Sequence, residues 1–353
     1  MKRLYIKDDR MNDISETPPV DNLNNSPQVR KNLGFEFRGD GTEYFKIWIV
    51  NILLTIVTLG IYSAWAKVRN NRYFYSNLYL DGDNFRYLAD PFTILKGRLI
   101  ALVALVTYYV ASIFFPMVGA TLAIVLLFAI PYFINQSVAF NNRMSSYKNI
   151  QFQFKGSYGQ AFMVIYVWPI LGMLTLGILY PLALLKANEY FVRNSAYGTS
   201  SFNFTATYKD YGMIFLTALG IALVVGVPIA LIAYLVPAFG IISPLLFAVM
   251  YFALIVYALV SFTNLFYTSL SLVDHKFEAK LTLAGQAKVI LINLLLTIVT
   301  LGLYLPAAKV RMTKYICSCL TMHTNGSLDN FSAAEQENIS ALGEEFGQVF
   351  DFV

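Results

Sequence analysis

By residue type and spacing, Cys317, Cys319 and His323 are best placed to do chemistry, in the run CSCLTMH near the end of the apolar part of the chain. Two thiols and an imidazole could begin a metal shell, but a structural zinc site takes four ligands. Positions two apart on a helix do not face each other. The expectation is two reduced thiols on the cytosolic side. His275 is the other histidine, and the chain has no nucleophile elbow, phosphate-binding loop or HExxH pair. Its long apolar stretches contain no Asp, Glu, Lys or Arg, the side chains that carry proton relays and ion pathways. No catalytic, cofactor-binding or metal-ligating residue is therefore expected, and the chain is not read as an enzyme. What remains is polar and neutral: Asn51, Asn293, Thr58 and Thr300 on the apolar segments, with Asn135, Gln136 and Asn264 elsewhere. Asparagines in such segments can hydrogen-bond between helices. The sharper reading makes Asn51, Asn293, Thr58 and Thr300 a polar pathway for a neutral or weakly charged solute.

The elements that would position these residues are repeats. Residues 44–80 contain NILLTIVTLGIYSAWAKVRNNRYF, and NLLLTIVTLGLYLPAAKVRMTKYI recurs from Asn293 to Ile316. A worn copy, MLTLGILYPLALLKANEYF, lies between them. Without gaps, Gly60, Gly177 and Gly302 share one column, as do Arg69, Lys186 and Arg311, and Tyr73, Tyr190 and Tyr315. Matches this long and this far apart are internal repetition. Asn51 and Asn293 also share a column, with Trp168 in the second copy.

The background is that of a polytopic membrane protein: 57% of residues are hydrophobic, 13% are charged, and the mean hydropathy is +0.56. The net charge of +5 is explained by basic residues flanking membrane spans, so no nucleic-acid partner is expected. Residues 1–32 read as a disordered cytosolic tail. Repeat units are placed at 33–98, 143–209 and 274–332, with transmembrane pairs at 99–142 and 210–273 and an acidic tail at 333–353. Each charge-free pair is long enough for two spans of about 20 residues. The repeats are read as re-entrant, turning back at the glycine column, with Gly60, Gly177 and Gly302 as the candidate helix breaks. That arrangement puts every charged segment on one face, cytoplasmic by the positive-inside rule. Single spans at the three repeats are the alternative.

A shorter motif brackets the repeats. Phe35-Glu-Phe-Arg-Gly, Phe85-Arg-Tyr-Leu-Ala, Phe152-Gln-Phe-Lys-Gly, Phe202-Asn-Phe-Thr-Ala and Phe277-Glu-Ala-Lys alternate aromatic and polar residues, with Leu328-Asp-Asn-Phe as a faded partner. Alternation is strand periodicity, and Asp81-Gly82 before Phe85 is a hairpin signal. The expected fold class is an all-α polytopic membrane protein with short cytosolic β-strands or hairpins. It would combine three repeats of broken hydrophobic helices with two full transmembrane helix pairs.

The FxFxG opening, the TLGIYxxWAKVR core and the closing ALGEEFGQVFD together resemble the YjgN-like family of bacterial inner-membrane proteins over residues 33–353. The resemblance implies the inner membrane of a Gram-negative cell and carries no established activity, substrate or catalytic residue. The second repeat departs from the core, with Leu182 and Leu184 where the first has Trp65 and Lys67. Two functional classes follow, with the lipid bilayer as the one partner common to both. One is a transport or permeation protein for a small solute. The other is a scaffold that recruits a protein through its strands and its acidic tail (Glu344, Glu345, Asp351).

Overall fold

The structure is a computed structural model and describes residues 30–329 and 331–338. The tail before residue 30 and the acidic stretch after 338 lie outside the described residues, and with them Glu344, Glu345, Asp351 and the closing motif.

Five times the chain runs strand, helical hairpin, strand. The strands are β1 (Arg30–Phe37), β2 (Leu78–Leu80), β3 (Asp83–Tyr87), β4 (Ser145–Tyr147), β5 (Ile150–Phe154), β6 (Ser195–Tyr197), β7 (Ser200–Phe204), β8 (Leu270–Leu272), β9 (His275–Ala279) and β10 (Leu320–Asn325). The first hairpin is α1 (Gly41–Val57) with α2 (Ser63–Ser76), and the second is α3 (Pro91–Phe114) with α4 (Pro116–Arg143). The third joins an arm of α5 (Tyr158–Phe162), a π-turn (Met163–Val167) and α6 (Trp168–Leu174) to α7 (Tyr180–Arg193). The fourth is α8 (Tyr208–Leu235) with α9 (Ser243–Thr268), and the fifth is α10 (Leu283–Val299) with α11 (Leu305–Ser318).

Register proves that each pair of helices returns. Phe37 faces Leu78, Tyr87 faces Ser145, Phe154 faces Ser195, Phe204 faces Leu270 and Ala279 pairs with Leu320. The residues leaving and re-entering the sheet are neighbours, so everything between them folds out and back. The other strand ends are joined by tight turns. At Asp81-Gly82 both φ values are positive (51° and 84°), the twist that suits a two-residue hairpin loop. Lys148-Asn149 does the same at 46° and 65°. β1 then pairs with β10, from Arg30 opposite Asn325 to Gly34 opposite Thr321, and the ten strands close into one antiparallel barrel.

That barrel overturns the expected fold class. The chain is not all-α with separate short hairpins, because all ten strands belong to one closed sheet. The physical reason is edges. A three-residue strand has no independent stability, and an open edge invites foreign pairing. Closure pairs both edges of every strand, but through a pairing between the two ends of the chain that no local pattern reveals. Leu328-Asp-Asn-Phe is likewise not a strand: residues 328–329 and 331–338 are helical.

The switch from strand to helix is written identically in all five units. Three residues past the strand's last residue sits an N-cap: Asp40, Asp90, Ser157, Thr207 or Thr282, each accepting backbone N–H groups of the first turn. Such caps satisfy donors the helix itself leaves unpaired. In the first, third and fifth units the tyrosine column closes the hairpin. Tyr73 accepts from the Asp40 N–H (2.8 Å), Tyr190 donates to the Ser157 carbonyl (3.2 Å) and Tyr315 accepts from the Thr282 N–H (3.2 Å).

Among the described residues, four helices, α3, α4, α8 and α9, are long and apolar enough to cross a membrane. At 1.5 Å per residue their 24 to 28 residues extend roughly 36–42 Å. All ten helical arms start or end at the barrel, so the barrel lies on one side of the bilayer.

Candidate functional site: the barrel lumen

Alternation along the strands sorts the side chains. Glu36, Arg86, Gln153, Asn203 and Glu278 point away from the lumen, while Phe35, Phe85, Phe152, Phe202 and Phe277 pack on its core. The short strands complete the wall with Leu80, Tyr147, Tyr197, Leu272 and Met322, all buried. A ten-stranded barrel is wider than the eight-stranded size that side chains just fill. Here it keeps a cavity of about 240 Å³ whose wall exposes no polar atom. The two tyrosines in that wall turn their hydroxyls into the backbone: Tyr147 donates to the Leu80 carbonyl (2.7 Å) and Tyr197 to the Tyr147 carbonyl (3.1 Å). Burial pushes both phenols well above their usual range.

A second cavity of about 310 Å³ adjoins the first and shares Phe35, Leu78 and Phe277 with it. Its remaining wall comes from the barrel ends of the returning helices, including Phe74 and Tyr75 of α2, Tyr267 of α9 and Cys317 of α11. The two chambers therefore stack along the barrel, the second on the side where the hairpins leave.

The opposite mouth is closed by the segment after β10. Leu328 and Phe331 line the lumen. The Phe331 ring stacks on Tyr197 (6.1 Å between centroids) and meets His275 edge-on (4.8 Å). His275 is buried, accepts from the Asn325 N–H (3.3 Å) and is held below its ordinary range by desolvation. Beyond it, the buried Glu335 carboxylate accepts from the N–H and hydroxyl of Thr199 (2.7 Å each) and from the Ser200 hydroxyl. Lys148 ties the same segment down through Asp329 and also holds Asp83 (3.0 Å). Sequence analysis singled out Leu328 and Phe331 but read them as a faded strand motif; they belong instead to the helical segment that closes the lumen as a lid.

The residues singled out from sequence lie elsewhere. Asn51 donates to Asn70 (2.9 Å), and Asn293 donates to the Ala308 carbonyl (3.1 Å) and accepts from Arg311 (3.4 Å). Each asparagine is spent inside its own hairpin. The buried Asn51 Oδ1 has no protein partner. Asn135 holds the third hairpin through the Gly156 and Ser157 carbonyls and Tyr190, and Asn264 bonds both backbone groups of Leu281. Cys317 is buried and Cys319 half-buried, both free, and no group of three metal-ligating side chains occurs among the described residues.

Thr58 and Thr300 sit at hairpin tips, beside the glycine column. Gly60, Gly177 and Gly302 have φ of 92°, 92° and 91°, and the leucine before each is also left-handed. The turn satisfies itself. Gly60 N–H reaches the Thr55 carbonyl (2.7 Å), while the Thr58 hydroxyl donates to the Leu54 carbonyl (2.7 Å) and accepts from the Tyr62 N–H (2.9 Å). Thr175 serves Leu171 and Leu179 in the same way, and Thr300 serves Leu296 and Tyr304. One threonine thus ends one helix and caps the next. A turn in lipid has no water to do this.

A family model described as "Bacterial protein of unknown function (DUF898)" matches residues 32–349. The chain is 33% identical over 143 residues to inner membrane protein YjgN of Salmonella typhimurium (strain LT2), covering 40% of this chain and 36% of that protein. It is 32% identical over 152 residues to inner membrane protein YjgN of Escherichia coli (strain K12), covering 41% and 37%. The matched part thus spans little more than a third of these relatives' length. No solved structure matches the chain.

Proposed function

The chain belongs to the DUF898 family of YjgN-like bacterial inner-membrane proteins, and from that premise we propose that it is an integral membrane protein whose lumen takes up an apolar chain of lipid character. The observation that carries this reading is the pair of stacked cavities with an apolar wall. Together they fall within the roughly 300–1,000 Å³ of small-molecule sites. The first chamber's wall exposes no polar atom, so it cannot orient a hydrophilic solute, and cavities of that kind stay dry; the second is mostly apolar, with Tyr75, Thr313 and Cys317 in its wall. An acyl or isoprenoid chain needs only such a wall, and the chamber nearer the hairpins faces the side from which it would come. The transport expectation accordingly narrows from a neutral or weakly charged solute to an apolar one, and no catalytic step is assigned. The barrel and its charged loops are placed on the cytoplasmic side by the positive-inside rule. Labelling a single cysteine introduced at Asp81 with an impermeant reagent in intact cells bears on that placement.

Native mass spectrometry of the protein extracted in mild detergent tests the reading. A bound lipid mass is expected on the wild type. Leu272→Trp, which fills the first chamber, should lose that mass while the protein still melts cooperatively. A wild type free of lipid, with Leu272→Trp melting higher, would reduce the lumen to ordinary core. The scaffold reading would then be the better one.

A further inference from the structure

Three of the five hairpins enter only one leaflet, and we propose that the chain is a one-sided membrane wedge that concentrates where its barrel-side leaflet is convex. The occupant of the exposed tip surface is the acyl region of that leaflet. Leu59, Leu176 and Leu301 at the three tips are 95%, 96% and 94% exposed. Val57, Met173 and Val299 beside them are also exposed. Apolar surface on this scale belongs in hydrocarbon.

Charge limits how deep the tips go. Lys67 follows Gly60 by seven residues, Lys309 follows Gly302 by seven and Lys186 follows Gly177 by nine. At 1.5 Å per residue the backbone of those lysines lies about 10–14 Å from the tips, and their side chains add only the reach of a snorkelling stem. Half the hydrocarbon core is about 15 Å. A tip cannot reach the far leaflet without dragging its lysine into hydrocarbon, where a charge is costly.

Contacts with the first residues of the spanning helices also keep two of the tips shallow. Arg98, eight residues into α3, donates to the Ser63 hydroxyl at the first tip. Tyr208, at the start of α8, donates to the Ile178 carbonyl at the third tip (3.3 Å). Beyond Arg98, α3 continues without a charge to Phe114. Among the described residues, then, five hairpins occupy the barrel-side leaflet and two continue into the far one. Six helices about 10 Å across add roughly 500 Å² to one leaflet only. The bilayer accommodates that excess by curving so that the barrel side expands.

The test uses full-length protein in which Cys317 and Cys319 are replaced by alanine and Asp81→Cys carries a fluorophore. It is reconstituted in phosphatidylethanolamine–phosphatidylglycerol vesicles of tens to several hundred nanometres, and an impermeant quencher sorts outward-facing from inward-facing barrels. Protein density per vesicle area should rise severalfold toward small diameters for outward-facing barrels and fall for inward-facing ones. The triple variant Leu59→Glu, Leu176→Glu, Leu301→Glu should stay inserted through its four spans, keep the wild-type melting curve and lose the dependence on diameter. Three results would each overturn the wedge: a flat wild-type dependence, the same slope in both orientations, or a slope retained by the triple variant. A flat dependence with tips protected by a second copy would reassign the surface to dimerisation.

Discussion

Gly156→Ala is expected to destabilise the protein by about 3 kcal/mol, the upper end of what overpacking a core normally costs. A Cβ there would stand 2.2 Å from the Tyr190 hydroxyl and 2.5 Å from the Phe154 ring. Neither can give way. The hydroxyl is pinned by Asn135 (2.6 Å) and by the Ser157 carbonyl, and Phe154 is buried in the core of the third hairpin. This is the physical meaning of the glycine in FxFxG. Gly39 plays the same part beneath Tyr73, where a Cβ would meet Phe37 at 2.6 Å. The long hairpins have Ala89 and Ala206 at this position, and Phe140 or Leu265 in place of the tyrosine. With no hydroxyl to accommodate, a methyl group fits; the fifth hairpin departs from this, with Leu281 in the column beside Tyr315, whose hydroxyl instead crowds Gly285. Two comparisons make the outcome specific. Gly159→Ala, with open space around it, should raise stability by ~1 kcal/mol in its helix. Adding Tyr190→Phe to Gly156→Ala should recover part of the loss, because it removes the atom at 2.2 Å. Melting curves in one detergent decide it, and equal effects at 156 and 159 would refute the packing account.

The second large effect belongs to the tips. Thr58→Val removes the acceptor for the Tyr62 N–H, and a donor stranded in an apolar medium costs about 1–3 kcal/mol. Thr58→Ser keeps the hydroxyl and should be nearly neutral. At Gly60 nothing lies within 4 Å of a built Cβ, so any penalty comes from the backbone alone. With φ at 92°, Ala should destabilise by ~1 kcal/mol and Val by more, since branched residues fit left-handed backbone least. Asn should be milder than Val. Leu59 also holds φ of 49°, where asparagine would be less strained. A carboxamide at a 95% exposed tip, however, would lie in hydrocarbon. Leu59→Asn should therefore draw that tip out of the hydrocarbon even though it relaxes the turn, while the four spans keep the protein inserted. If Gly60→Ala raised the melting temperature, continuous helix would run through the site and the hairpin would be wrong.

Much of the local structure was legible. The glycine column marks the hairpin tips, Asp81-Gly82 marks a tight turn, and the five Phe-x-Phe/Tyr or Phe-x-Ala runs are β1, β3, β5, β7 and β9, the strands that lead into the hairpins. The partner strands were not legible. LYL, SSY, SAY and LSL offer three residues each to the pattern, too few for a period of two to stand out from helix or loop, and β10 follows directly on Cys317 and Cys319 at the end of α11 without a turn signal. Nor was the equivalence of long and short hairpins, because it lies in the flanking strands and caps rather than in helix sequence. Polar residues misled in a consistent way. Asn51, Asn293, Thr58 and Thr300 looked like a path because polar groups in apolar segments need a reason. The reason lies within each hairpin, in bonds to partners 4 to 19 residues away. The lumen drew no attention because its chemistry is an absence of polar groups.

Closure of the barrel is the claim from which the lumen, the lid and the five equivalent hairpins all follow, and one cross-link tests it. Asn32 and His323 are 291 residues apart, paired across β1 and β10, with side-chain atoms 2.7 Å from each other. In a background with Cys317 and Cys319 replaced by alanine, Asn32→Cys with His323→Cys should join within one polypeptide under mild oxidation or a short bis-maleimide. Peptide mass spectrometry should find the 32–323 link, and Asn32→Cys with Thr199→Cys should give none. Failure of the first pair to join while the protein remains folded, or joining only between two chains, would mean that β1 and β10 do not close the sheet.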